Sequence, residues 1–247
     1  MSTFVYGDSR ARQLKDHIPM AVSKFFPGKT IGQITDLANQ HLASKSGKKL
    51  LYIVGGICNL TKKLNTDRSS TYEEVVFQPS PNVLFDYLGQ MQSGKDLLAG
   101  NDCVPIYCTV PTMSLKTWNE IRLAQKKTSY LQFESQYVQM QEELNSTILQ
   151  VNKKIVQFNF DNGYNTPHIH QCIMKCKKGK YWFYYNRYVD GVHPDDSVVR
   201  IWAHQINNAI VENYKRSISS ENARQRYQRQ IFTNPDDKNL KVRVSRL

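Results

Sequence analysis

No stretch of this chain approaches the roughly 18 consecutive apolar residues that a membrane-crossing helix needs, so no membrane span is expected. The opening, MSTFVYGDS, lacks both the basic start and the long apolar centre of a secretory leader. Cysteine is sparse and odd in number: five residues, at 58, 103, 108, 172 and 176, are scattered along the chain. That argues against a disulfide framework and for buried thiols in a reduced, intracellular protein, cytoplasmic or nuclear. Internal repeats and low-complexity blocks are absent too, which sets repeat architectures aside. Acidic residues are outnumbered: 21 Asp and Glu face 33 Lys and Arg, for a formal net charge of +12.

Part of that positive excess is local. Residues 213–247 hold nine Lys or Arg and only three acids. Such a segment suits RNA or single-stranded DNA, through counterion release, and it equally suits a solvated tail. With 247 residues, 40% of them hydrophobic, the chain has enough apolar mass for one sizeable core. The expected organisation is one domain over residues 1–214 and a basic tail or linker over 215–247. The first expected strand starts within a few residues of the beginning, as it would in an excised domain. The pattern specifies no oligomeric state.

Strand and helix signals alternate. TFVYG reads as a short buried strand and SRARQLKDHI as a helix after it. MAVSKFFPG reads as a second strand ending at Gly28, and IGQITDLANQHLAS carries a helical apolar stripe. KKLLYIVGGI is a continuous apolar run closed by paired glycines, the mark of a strand buried on both faces. A polar loop is expected from Thr61 to about Ser80, then a helix near residues 82–91 and a strand in CVPIYCTVP. Tyr137, Met140, Leu144, Ile148, Val151, Ile155 and Phe158 recur every three or four residues, predicting a long helix that packs on the core. SVVRIWAHQINNAIVENY repeats the pattern. This alternation predicts an α/β fold, a parallel sheet with helices on both faces, and ligands bound beyond the carboxyl ends of the strands. Gly7, Gly28 and Gly55–Gly56 mark three such ends.

Two stretches at opposite ends of the domain could share chemistry. GDS, after the first strand, presents Ser9, and DGVHPD presents Asp190 and His193. A spacing of three brings these two side chains to one side of a turn, and Pro194 holds His193 in extended backbone. The carboxylate can then fix the imidazole tautomer while the ring takes a proton from a serine hydroxyl. Each stretch, read alone, is also an ordinary turn.

Together these residues resemble the SGNH, or GDSL-type, hydrolases. YGDSRARQL is similar to their first block, FFPGKTIGQI to the second, VGGICNLT stands in place of the third, and DGVHPD matches the fifth. The resemblance spans about Phe4 to Tyr214 and implies a three-layer α/β sandwich around a central parallel sheet, of flavodoxin-like type. It also implies a cofactor-independent serine esterase cleaving a small ester or acylated substrate. Ser9 would be nucleophile, His193 base and Asp190 its orienter, with an oxyanion hole from the Ser9 and Gly28 N–H groups and an asparagine. The third block departs from the family pattern. Direct alignment places Cys58 at the asparagine position, and a shift of one restores Asn59. Cysteine is a poor donor, and losing one such donor costs about 10²–10³ in rate. The middle of the chain also resembles esterase-like domains encoded by animal transposable elements, which adds a nucleic-acid-binding scaffold of low activity as the alternative reading.

Arg10 and Arg12 fall in the first turn after Ser9, against the helix dipole. With Lys29 they would form a basic mouth for an acidic substrate, or they are ordinary exposed side chains. TPHIHQCIMKC would set His168, His170 and Cys172 on one strand face, but the spacing matches no common zinc pattern and half-buried structural roles are expected; no metal is assigned. KCKKGKYWFYYNRY mixes lysines and rings, which suits either stacking of unpaired nucleobases or a flap over the core that walls the pocket.

Overall fold

The computed structural model describes residues 1–65, 73–77, 80–126, 133–178 and 180–233. In chain order its strands and helices are β1 (Ser2–Gly7), β2 (Val22–Phe25), α1 (Ile31–Leu42), β3 (Lys49–Val54), α2 (Ile57–Leu60), β4 (Thr61–Asn65), β5 (Glu73–Phe77), α3 (Val83–Ala99), β6 (Cys103–Tyr107), α4 (Leu115–Lys126), α5 (Tyr137–Asp161), β7 (Met174–Lys177), β8 (Lys180–Phe183) and α6 (Asp196–Thr233). A nine-residue 3-10 helix, Ser9–His17, joins β1 to β2. The chain divides into two units, Met1–Ala209 and Ile210–Leu247. Among the described residues no helix is long and apolar enough to cross a membrane.

The central sheet has the order β2-β1-β3-β6, and all three pairings are parallel. The pleat explains which residues face where. Phe4, Tyr6, Leu51 and Ile53 join one cluster with Ile31 and Ile34 of α1, Met91 and Leu98 of α3, and Ile148 and Val151 of α5. The intervening Val5, Leu50 and Tyr52 are buried on the opposite face, where the Tyr52 hydroxyl donates to the Ala209 carbonyl of α6 at 3.1 Å. All six residues of β3 are buried, as its unbroken apolar run predicts. The expected three-layer α/β arrangement is therefore the observed one.

The packing of α5 is unusual in its polarity. Asn145, Asn152 and Asn159 recur every seven residues along the rim of its apolar stripe, and all are buried. The Asn159 side chain accepts from the Tyr107 N–H (3.2 Å) and donates to the Tyr107 carbonyl (2.8 Å). Asn152 does the same for Val110, at 2.6 and 2.9 Å. Asn145 accepts from the Thr112 hydroxyl (2.6 Å) and donates to the Tyr185 hydroxyl (2.7 Å). Side-chain amides thus supply the hydrogen bonds that another strand would otherwise give to the edge of β6 and the chain beyond it.

Three expectations need correction. The polar loop across Thr61–Ser80 contains an antiparallel pair, β4 with β5. Val75, Val76 and Phe77 are buried there, and Asn119 of α4 holds both backbone groups of Val75, at 2.9 and 2.7 Å. The TPHIHQC stretch runs into a short 3-10 helix (Ile169–Ile173) rather than a strand, and the His168 and His170 rings still lie 6.2 Å apart, centroid to centroid. The segment after Ser9 is a 3-10 helix whose first-turn Arg10 is buried. The basic tail expected over 215–247 lies largely outside the described side chains.

Candidate active site

β1 and β3 end side by side, and Gly7 is what lets them do so. A Cβ there would sit 2.3 Å from the Val54 carbonyl oxygen and 2.5 Å from the Ala11 Cβ. The chain then turns through Asp8, whose N–H donates to the Val54 carbonyl at 3.0 Å, and Ser9 becomes the first residue of the 3-10 helix. Ser9 is half-buried. Its N–H has no acceptor among the described residues. This is a donor at a helix start beside the serine hydroxyl.

Asp8 carries the cap. Its carboxylate accepts the Arg10 backbone N–H at 3.0 Å and the Arg10 guanidinium at 2.9 Å. Arg10 is 1% exposed, and its remaining arm donates to the Pro111 carbonyl at 3.0 Å. Arg10 therefore lies beneath the site rather than at its mouth. Its first-turn position, unfavourable by helix polarity, is compensated by the acid two residues earlier. Arg12 and Lys29 are exposed.

Gly28 sits in an exposed turn closed by the Lys29 N–H and the Phe26 carbonyl, 3.2 Å apart. The Phe26 N–H donates to the Gly7 carbonyl at 2.8 Å, which holds this turn beside the end of β1. The Gly28 N–H, like that of Ser9, has no acceptor among the described residues. Thr30 and Gln33 then form a reciprocal cap that starts α1.

Cys58 and Asn59 lie on α2, directly after β3. Burial, and after it the nearby Asp8 carboxylate, push the Cys58 thiol up, so it stays protonated near neutral pH. Asn59 is a clamp: its Oδ1 accepts the Ile31 N–H at 3.0 Å and its Nδ2 donates to Gln90 Oε1 at 2.7 Å. It ties α2 to the start of α1 and to α3. One amide hydrogen is left uncommitted by these bonds.

Asp190 and His193 are joined as their spacing predicts. His193 Nδ1 lies 2.7 Å from Asp190 Oδ2, and Oδ1 accepts the His193 and Val192 N–H groups at 2.8 and 3.1 Å. Burial raises the Asp190 carboxyl, but the ring and backbone hydrogen bonds outweigh it and hold the group below the usual carboxylate range. With Nδ1–H given to the carboxylate, Nε2 is the basic nitrogen. Gly191 has φ +85°, and a Cβ there would lie 2.8 Å from the Trp118 N and 2.9 Å from the Ser114 carbonyl oxygen. Only glycine fits this tight, left-handed corner. The Trp118 ring stands 5.9 Å from the His193 ring, centroid to centroid.

Both halves of the candidate site are tied to one stretch, residues 111–114. Pro111 accepts from Arg10, next to Ser9. The Thr112 carbonyl accepts from the Tyr188 hydroxyl, and the Ser114 N–H donates to the Gly191 carbonyl at 2.8 Å. No hydrogen bond joins Ser9 to His193 among the described residues. The Asp8–Arg10 pair, Trp118 and the 111–114 anchor were not singled out in the sequence, although the acid and the arginine flank Ser9 directly.

His168, His170 and Cys172 form no metal cluster among the described residues. The His170 ring Nδ1 instead meets the Thr109 hydroxyl at 2.8 Å. Burial, with some help from His168, lowers His170 to about 4, so the ring is neutral at pH 7.

No family model and no curated protein sequence matches the chain. Solved structures do. A GDSL-like lipase from Bacteroides thetaiotaomicron is 15% identical with a TM-score of 0.57, over 86% of this chain and 88% of its own. A protein from Bacteroides fragilis assigned to the acylhydrolases is 13% identical, also at 0.57, over 86% and 87%. The C-terminal domain of the Drosophila Oskar protein is 11% identical at 0.50, over 83% and 86%. The SGNH-type fold expected from the sequence is thereby shown.

Proposed function

We propose that the chain is a serine hydrolase that cleaves a small carboxylic ester, with Ser9 as nucleophile, His193 as general base and Asp190 as its orienting carboxylate. The observation that carries this reading is the common anchorage at residues 111–114, which holds the Ser9 end and the Asp190–His193 turn to one short stretch. Hydrogen bonds between nucleophile and base often tighten only with substrate in place, so the reading does not need a Ser9–His193 bond among the described residues.

In this mechanism His193 Nε2 takes the Ser9 hydroxyl proton as Oγ attacks the acyl carbonyl. The proton then passes to the departing alcohol, leaving an acyl-serine. Water repeats the sequence and releases the carboxylic acid. The Ser9 and Gly28 N–H groups, both without acceptors among the described residues, are the main oxyanion donors, and the second Asn59 amide hydrogen is an auxiliary one. Cys58, protonated and half-buried, contributes little. Arg12 and Lys29 bias the entrance toward anionic substrates.

A fluorophosphonate probe is expected to label the wild-type chain and neither Ser9→Ala nor His193→Ala. Hydrolysis of p-nitrophenyl acetate should fall by about 10²–10⁴ in Asp190→Asn, with KM little changed. Equal labelling of all three proteins would end the assignment.

A further inference from the structure

The β7–β8 hairpin presents two different faces. Its register pairs Lys175 with Trp182 and Lys177 with Lys180, and places Cys176 opposite Tyr181. Met174, Cys176 and Tyr181 line a groove of about 440 Å³ together with Lys153 and Gln157 of α5 and His168. Pleating then turns Lys175, Lys177, Lys180 and Trp182 to the other side. All four are exposed, Trp182 to 46%.

This face is costly for a hairpin that serves only as a cover. Two lysines stand directly opposite one another, an arrangement that destabilises strand pairs. No described carboxylate forms an ion pair with any of the three. The large indole lies among them rather than in the groove. Lys178, at the turn, adds a further exposed cation. Cations spaced along a strand with an open aromatic face between them are what a polynucleotide chain requires: phosphates for the ammonium groups and an unpaired base for the ring. A duplex, whose bases are already stacked, cannot use the indole.

We infer that the outward face of the β7–β8 hairpin binds single-stranded nucleic acid, with Trp182 stacking on a base and Lys175, Lys177 and Lys180 meeting the flanking phosphates. This site is separate from the Ser9 chemistry and stands whether or not the hydrolase reading holds. The basic C-terminal segment is left unchanged in every protein tested.

The test uses the full chain and a fluorescein-labelled 12-mer of oligouridylate, with binding followed by anisotropy across a salt series. The wild type should bind the single strand more tightly than a 12-base-pair RNA duplex. Trp182→Ala should weaken single-strand binding about tenfold, and Trp182→Phe should retain most of it. Replacing Lys175, Lys177 and Lys180 together by Gln should reduce the slope of log K against log salt by up to about 2. A 4-thiouridine-substituted oligomer should crosslink wild-type protein within residues 174–184, a readout that does not depend on how well the variants fold. Unchanged affinity in both sets of variants, or crosslinks confined to the C-terminal segment, would overturn the proposal. So would binding to phosphatidylserine vesicles with none to the oligomer, which would identify the hairpin as a lipid-surface anchor.

Discussion

Arg10 shows how far a single side chain's role depends on its partner. Its guanidinium is wholly buried, yet each arm is matched, to Asp8 on one side and the Pro111 carbonyl on the other. Removing one partner of such a pair strands the other charge and costs about 3–5 kcal/mol, whereas removing both together costs far less. Arg10→Met alone is therefore expected to lose about that much stability in urea denaturation. Adding Asp8→Asn, which keeps the cap, should recover a large part. Simple additivity of the two substitutions would mean that the pair is not coupled. The sequence placed Arg10 at the surface because an arginine in a first turn is normally solvated. Nothing local showed that a carboxylate two residues earlier would go under with it. The Asp190–His193 pair was legible for the opposite reason: its geometry is set within one turn by the three-residue spacing, Gly191 and Pro194.

At the level of elements, long apolar runs were readable and polar adhesion was not. β3 and the stripe on α5 announced themselves, because burial on both faces or on one face leaves a periodic trace. The asparagines at 145, 152 and 159 look like the polar margin of the same helix, and the pairing of the last two with backbone 42 and 52 residues away has no local signal. β5 was hidden in the same way, since its partners β4 and Asn119 are distant or flank a polar stretch. Asn152→Ala would leave the Val110 N–H and carbonyl unpaired in the interior. At about 1–3 kcal/mol for each stranded group, melting should drop by roughly 5–15 °C, and Asn152→Leu should not restore it. A melting point within 1–2 °C of wild type would show that water replaces the amide.

For the molecule as a whole, pH acts through buried groups. His170, lowered to about 4, binds a proton more readily in the unfolded chain. Stability should therefore be full above about pH 6.5 and fall as the pH drops from there toward 4, by up to about 2–3 kcal/mol. Asp190 works in a lower window: its depressed carboxyl contributes stability above about pH 4 that is lost as acid protonates it. Urea denaturation from pH 7 to 4 should show the first decline in the wild type and a flattened profile in His170→Gln. An equally steep profile in the variant would place the acid sensitivity elsewhere.

The amides of α5 also decide how the central sheet can meet other chains. Asn159 closes the Tyr107 end of β6, and Pro105 within that strand has no N–H to offer, so among the described residues β2, four residues long and carrying Lys24, is the border better placed for backbone pairing. A sheet with one favoured border is continued there once, by a second copy joined back to back, and the joined pair has spent that border. Edge-driven association of this domain would stop at two copies instead of running on into a fibre.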